Sequence, residues 1–243
     1  MFQVKDVGYV VEVLALTEHK QLVTLISSES GLLKGIWHLR GRFASRAALA
    51  HFSKVDFDFR QKPQQDLGIF ESFDLAQPSP ILKDPSYLRL CVLQHWAYLV
   101  GNAFADHHAE PVVWRLLEHV LPHAMPGAPA LRAANLYMEA WLLHASGSFP
   151  KPHGPQSIQR DGQFWRIGEL VLPETRDQPS ESERALISQL FKLKIEQFLP
   201  LALECESLSW SVELFRQLWR HFFQRALTTD EAIQSALATK GFT

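Results

Sequence analysis

The spacing of apolar and polar positions changes near residue 78, from short alternating runs to helical stripes. Before that point five segments read as strands. GYVVEVLAL (8–16) and QLVTLIS (21–27) flank a turn-like TEHK, and GLLKGIWHL (31–39) follows the turn SSESG. HFSKVDFDFR (51–60) alternates: Phe52, Val55, Phe57 and Phe59 stand against Ser53, Lys54, Asp56, Asp58 and Arg60. DLGIFESFDL (66–75) supplies the fifth. Five short strands separated by turn signals predict a small closed or partly open barrel, with the OB type as the natural member of that class.

AQPSPILKDP, with three prolines in ten residues, breaks the pattern. PSYLRLCVLQHWAYLVGNAF then opens on Pro85 and Ser86 and is apolar on most faces, like a buried helix. EPVVWRLLEHVL, APALRAANLYMEAWLLHASG, SESERALISQLFKLKIEQFLPLAL and LSWSVELFRQLWRHFFQRAL each repeat at i, i+3, i+4, and Ser146-Gly147 reads as a helix stop. TTDEAIQSALATKG closes the chain as a short amphipathic helix capped by a threonine. Residues 148–180 hold five prolines and an RDG turn before the strand-like FWRIGELVL, which predicts an irregular excursion with one hairpin. The expected class is therefore α+β: a five-stranded barrel over 1–78 and a helical domain over 79–243.

Composition narrows the chemistry. Forty-seven per cent apolar and 21% charged residues fit a globular protein with a proper core. A net charge of −2 exerts no global pull on DNA or membranes, so any such attraction is local. The N-terminus lacks the order of a signal peptide and no apolar run reaches membrane-spanning length, so the cytoplasm is expected. Cys91 and Cys205 lie far apart in apolar helical contexts and read as buried free thiols. There is no phosphate loop, no G-x-S-x-G, no H-E-x-x-H and no C-x-x-C. His107, His108, His119 and His123 offer four imidazoles, but Pro122 interrupts the face that His119 and His123 would share. Trp210, Phe215, Leu218, Trp219, Phe222 and Phe223 recur at helical spacing and read as core rather than as an aromatic-basic face.

One segment does change the picture. KGIWHLRGRFASRAALAHFSK (34–54) holds five Lys or Arg and no Asp or Glu, in a slightly acidic chain. Clearing acids from one loop and its neighbouring strands removes repulsion toward a polyanion, and each phosphate contact releases counterions. Lys34, Arg40, Arg42, Arg46 and Lys54 are the candidate phosphate contacts, with Trp37, His38 and Phe43 as flat surfaces on which bases could stack. A loop that is charged only for solubility would look the same, and from charge alone both readings stand.

The order of features resembles the RecO family of bacterial recombination mediators. GYVVEVLALTEHKQLVTLISSESGLLKG is similar to the family's opening strands, and RGRFASRAALAHFSKVDFDF to its basic loop leading through Ala48, Leu49 and Phe52 into a fourth strand. DLGIFESFDL resembles the closing strand, NLYMEAWLLHASGSFP a helix ended by a glycine, and WSVELFRQLW the C-terminal helix. The resemblance implies an OB-fold followed by a helical domain, and no enzymatic catalysis. It further implies binding and annealing of single- and double-stranded DNA, docking of the C-terminal tail of single-stranded-DNA-binding protein, and action with RecR in loading RecA. Carried over by position, the DNA role falls on Lys34, Arg40, Arg42, Arg46 and Lys54. Arg132, Trp141 and Leu142 become candidates for the tail pocket, which needs an apolar floor with a basic rim.

The departures from the family are also legible. The basic loop is shorter and less basic than in many relatives, and Trp210 and Val212 stand where basic residues are common. The excursion lacks the four cysteines that hold zinc in many members, so neither metal nor cofactor is expected. The competing readings are a protein-interaction adaptor of the same fold with vestigial DNA binding, and a histidine-based metal hydrolase.

Overall fold

The computed structural model describes residues 1–39, 49–83, 85–108, 110–124, 127–149, 158–161, 164–167, 170–171, 178–223 and 233. These residues form an α+β arrangement in which a five-stranded sheet comes first and helices follow. The strands are β1 (Phe2–Thr17), β2 (Lys20–Ser27), β3 (Gly31–His38), β4 (Lys54–Gln61) and β5 (Gly68–Gln77). Their order is β1-β2-β3-β5-β4, and β4 returns to β1, so the sheet closes into a barrel. Every pairing is antiparallel except β3 with β5.

The length of β1 makes the closure possible. Its first half pairs with β4 from Phe2 to Tyr9, and its second half pairs with β2 from Gly8 to Thr17. A register shift between Val10 and Glu12 bends the strand from one partner to the other. Alternation along the strands sends Val10, Val23, Leu25, Leu33, Val55, Phe57, Phe59, Phe70 and Phe73 inward, where they form the barrel core. The parallel seam is tight. Gly35 stands opposite Gly68, and a Cβ on Gly68 would lie 2.1 Å from Phe59 Cζ. Small residues on both sides let the Phe59 ring fill the space where side chains would otherwise collide.

The turn between β2 and β3 is built on Asp6. Its carboxylate accepts from the hydroxyls of Ser27 and Ser28 and from the amides of Val7 and Glu29. Burial pulls that carboxyl upward, but the four hydrogen bonds together outweigh it and hold Asp6 below the usual aspartate range. Gly31 then opens β3 at φ 71°, a left-handed conformation suited to glycine.

The helices begin with the short α1 (Pro80–Lys83), then α2 (Tyr87–Ala103) and α3 (Pro111–Val120). Ser86 caps α2 by accepting from the Arg89 amide, at the start that Pro85-Ser86 predicts. Pro122 falls just past α3, inside a 3-10 turn over Leu121–Ala124. The chain divides into two compact units, Met1–Leu121 and Pro122–Thr243. The change of period at residue 78 ends the barrel, whereas compactness divides the chain later because α2 and α3 pack with the strands. Gly101 of α2 lies against Val11, and Trp114 of α3 sits 5.0 Å from the Tyr9 ring.

The second unit contains α4 (Ala128–Ala145), β6 (Ile158–Asp161), β7 (Phe164–Ile167), β8 (Leu170–Val171), α5 (Glu181–Gln189), α6 (Ile195–Glu204) and α7 (Ser209–Phe223). α4 ends where Ser146-Gly147 predicts, with Gly147 at φ 76° and its amide bonded to the His144 carbonyl. The expected single hairpin is a three-stranded antiparallel sheet, since FWRIGELVL folds back on itself as β7 and β8. The single helix expected from SESERALISQLFKLKIEQFLPLAL is two. FKLKI (191–195) alternates with period two and breaks the helical stripe, and the Tyr137 hydroxyl holds the break by donating to the Leu193 carbonyl. Glu183 closes a capping box with Ser180 and also accepts from the amide and hydroxyl of Ser211, joining the starts of α5 and α7. Trp210, Leu214, Phe215, Leu218 and Trp219 are buried, as the helical stripe predicts, and Phe222 and Phe223 are half-buried. Of the closing helix expected over 228–241, only residue 233 is described.

Candidate functional site

Strand alternation decides which candidates face out. On β2, Val23 and Leu25 are inward, which turns Lys20, Leu22 and Thr24 outward. On β3, Leu33, Gly35 and Trp37 are inward, which turns Lys34, Ile36 and His38 outward. Register then aligns these positions across strands. Leu14 stands opposite Leu22, Leu22 opposite Ile36, and Ile36 opposite Ile69. The result is an outward apolar row across β1, β2, β3 and β5, about 14 Å long at the usual strand spacing. Leu14 is 52% exposed, and Leu22, Ile36 and Ile69 are half-buried. Lys20 opposite His38 borders one side of the row; Lys34 opposite Thr24 borders the other, with Glu12 beyond them on β1. The outward positions of β2 and β3 carry no acid.

Residues 40–48 leave from the end of β3, and both stems of that segment are anchored. At the entry, Leu39 packs against the barrel core and its amide donates to the His19 carbonyl at 2.9 Å. At the exit, Leu49 packs against the same core. The Phe52 amide donates to the Val10 carbonyl at 2.6 Å, and the Val10 amide to the Ser53 carbonyl at 2.9 Å. His51 Nδ1 lies 2.7 Å from the Val11 carbonyl, and Ser79 Oγ donates to the His51 carbonyl. Phe52 is fully buried at φ 62°, a left-handed conformation costing a bulky residue about 1–2 kcal/mol. Burial of its ring and the paired backbone bonds to Val10 offset that strain. Arg40, Arg42 and Arg46 lie outside the described residues.

The described candidates take different positions. Lys34 and His38 are half-buried on the outward face. Trp37 requires a correction: it is 5% exposed, lies inside the barrel and meets Phe73 edge-on at 4.9 Å, so its ring has no face to offer a base. Counting alternation back from the inward Leu33 finds this in the sequence, because Trp37 shares its parity. Lys54 is also corrected. Its Nζ is 2.7 Å from Glu118 Oε1 and lies over the Tyr9 and Trp114 rings at 5.5 and 5.4 Å. Tyr9 donates to the same carboxylate oxygen at 2.9 Å. Burial alone would raise the Glu118 carboxyl, but the bonds from Lys54 and Tyr9 and the Lys54 charge hold it low. Lys54 is thus a partnered cation joining β4 to α3. Lys20 was missed because it stands outside the acid-free stretch in sequence and enters the surface only through its register with His38.

On α4, the three tail-docking candidates do not converge. Arg132 and Trp141 are nine residues apart, which places them on opposite sides of the helix. Leu142 is fully buried, and Trp141 is half-buried among Tyr137, His144 and Phe191. The histidines are dispersed as well. The His107 amide donates to the Leu32 carbonyl, His108 lies 3.3 Å from Glu110, and His123 lies 3.6 Å from Glu196. Among the described residues no group of three or more His, Cys, Asp or Glu is placed to hold a metal ion. Cys91 is the buried free thiol expected, whereas Cys205 is corrected to a half-exposed one, because it stands at the C-cap of α6 rather than on its apolar face.

The chain is 27% identical over 131 residues to the DNA repair protein RecO of Koribacter versatilis, covering 53% of this chain and 52% of that protein. It is 30% identical over 135 residues to the DNA repair protein RecO of Syntrophotalea carbinolica, covering 55% of this chain and 52% of that protein. The RecO resemblance is borne out. The chain spans about half the length of the curated relatives it matches. No family model matches it. No helix among the described residues is long and apolar enough to cross a membrane.

Proposed function

We propose that this chain is a RecO-type DNA-binding protein that acts in DNA repair and recombination without enzymatic catalysis. The observation that carries the reading is the acid-free outward face of β2 and β3. There Lys20, Lys34 and His38 border an apolar row, and the strand leads directly into a stretch bearing Arg40, Arg42 and Arg46. The OB type is supported by the β1-β2-β3-β5-β4 order with a parallel β3–β5 seam, because barrels of this class bind oligonucleotides across strands 2 and 3. A strand lying there places phosphates against the cations and bases against aliphatic side chains. Annealing needs no nucleophile: neutralising two backbones lets complementary strands approach.

The partners belong to the same proposal. They are single- and double-stranded DNA, the acidic tail of single-stranded-DNA-binding protein, and RecR, with loading of recombinase onto coated strands as the outcome. The two relatives named as DNA repair proteins support this reading.

The test is fluorescence anisotropy of a labelled single-stranded oligonucleotide across a salt series, for the wild type and an Arg40/Arg42/Arg46-to-Ala variant. The expected result is steep weakening with salt and a slope flatter by about one unit per lost phosphate contact. No binding by the wild type at low salt refutes the reading and leaves the protein-interaction adaptor in the lead.

A further inference from the structure

A second feature of the first unit lies beside the exit stem of the basic segment. Val13 of β1, Leu49, Ile81 of α1, and Leu90 and Leu93 of α2 form the apolar walls of an open groove of about 230 Å³. Two polar side chains, His51 and Gln94, share its lining. Resting on the nucleic-acid reading above, we propose that this groove receives one unstacked base of a bound single strand.

Size, chemistry and position support this occupant. The volume suits a single flat ring and is too small for a helix laid in a groove. The walls are aliphatic, as burial of a ring face requires. His51 Nδ1 faces the Val11 carbonyl at 2.7 Å and must carry its proton there, which leaves Nε2 of the neutral ring as an acceptor. Gln94 adds an amide with both donors and an acceptor, the group that pairs with base edges. Among the described residues no cation lines the groove, and a neutral base needs none. The groove also borders the acid-free stretch, whose exit stem, Leu49–His51, forms part of its lining. Tyr87, 63% exposed, shares its helix face with Leu90 and Gln94 and presents a ring on which the neighbouring base can stack.

The test uses the full chain and two labelled oligonucleotides of equal length, one with bases and one abasic throughout, with identical phosphates. The variants are Gln94→Leu, an exposed position that leaves the core intact, and Ile81→Trp, which fills the groove; thermal melts confirm that each is folded. The expected wild-type preference for the base-bearing strand is about tenfold, and each variant should reduce it about five- to tenfold at an unchanged salt slope. A wild type that binds both strands equally overturns the proposal while leaving phosphate-driven binding intact. So does a folded Gln94→Leu variant that keeps the full preference. Displacement of the oligonucleotide by an acidic peptide with an apolar end, lost only in Ile81→Trp, also overturns it and assigns the groove to a protein partner. Failure of the wild type to bind either strand refutes the nucleic-acid reading itself.

Discussion

Replacing Gly68 by alanine tests the closure of the barrel at its tightest point. The added Cβ would stand 2.1 Å from Phe59 Cζ, 2.3 Å from Cε2 and 2.9 Å from the Arg60 carbonyl oxygen. Reaching an ordinary carbon–carbon separation of about 3.5 Å requires the ring to retreat by about 1.4 Å. It has little room to do so, since Phe59 is fully buried and 4.8 Å from the Phe70 ring. The Arg60 carbonyl belongs to the backbone of β4 and yields less readily than a side chain. Overpacking costs about 1–3 kcal/mol and the backbone contact puts this case near the upper end, so against a gain of about 0.5–1 kcal/mol from replacing glycine within a strand a net loss of about 2 kcal/mol is expected. Hydrogen exchange in a urea series, read on peptides covering β3 and β5, isolates the barrel from the second unit. The double variant Gly68→Ala/Phe59→Leu should recover about 1 kcal/mol, because the smaller side chain vacates the clash. Protection in Gly68→Ala within about 0.5 kcal/mol of wild type would show that the seam is not limited by Phe59 and would refute the packing argument.

The same substitution at Gly101 should act in the opposite direction. A Cβ there meets only Val11 at 3.4 Å within α2, so Gly101→Ala should raise the urea midpoint by about 0.5–1 kcal/mol of stability. Lys54→Met should leave the salt dependence of oligonucleotide binding almost unchanged, because Glu118 already compensates that charge; Lys20→Met and Lys34→Met should each flatten the slope by about one unit. Asp6 and Glu118 both titrate below their usual values in the folded chain, so the stability they contribute is complete above the unfolded pKa and fades as pH falls through the folded one. Thermal melts should therefore show a loss of stability below about pH 4 that is smaller in Asp6→Asn and Glu118→Gln, measured relative to each variant at pH 7.

Much of the fold was legible because local periodicity reports burial directly. Each of the five predicted strands has a counterpart, but β1 begins at Phe2, six residues before GYVVEVLAL, and β4 at Lys54 rather than His51; the helix stop at Ser146-Gly147 and the start at Ser86 follow from cap chemistry alone. Two elements were misread for an identifiable reason. A helical period was extended through FKLKI, whose strict alternation marks the break, and FWRIGELVL was taken as one strand although the glycine inside it permits a reversal. The site was less legible. Charge counted along the chain selected Lys54, which lies only twenty residues from Lys34 but is already bound to a carboxylate from α3, and it passed over Lys20.

The sequence by itself determined the elements, the inward and outward parity of each strand and the acid-free stretch, all of which depend on neighbours within a few residues. Tertiary structure alone decided how distant positions meet. It aligned Leu14, Leu22, Ile36 and Ile69 in one row, set Lys20 beside His38, and gave Lys54 to Glu118, sixty-four positions later. It also closed the barrel on two facing glycines and placed α1 and α2 against the exit stem to form the groove. Register and closure depend on which strands pair and by what offset. A change of one residue in that offset would exchange the two faces of a strand while leaving its sequence pattern the same.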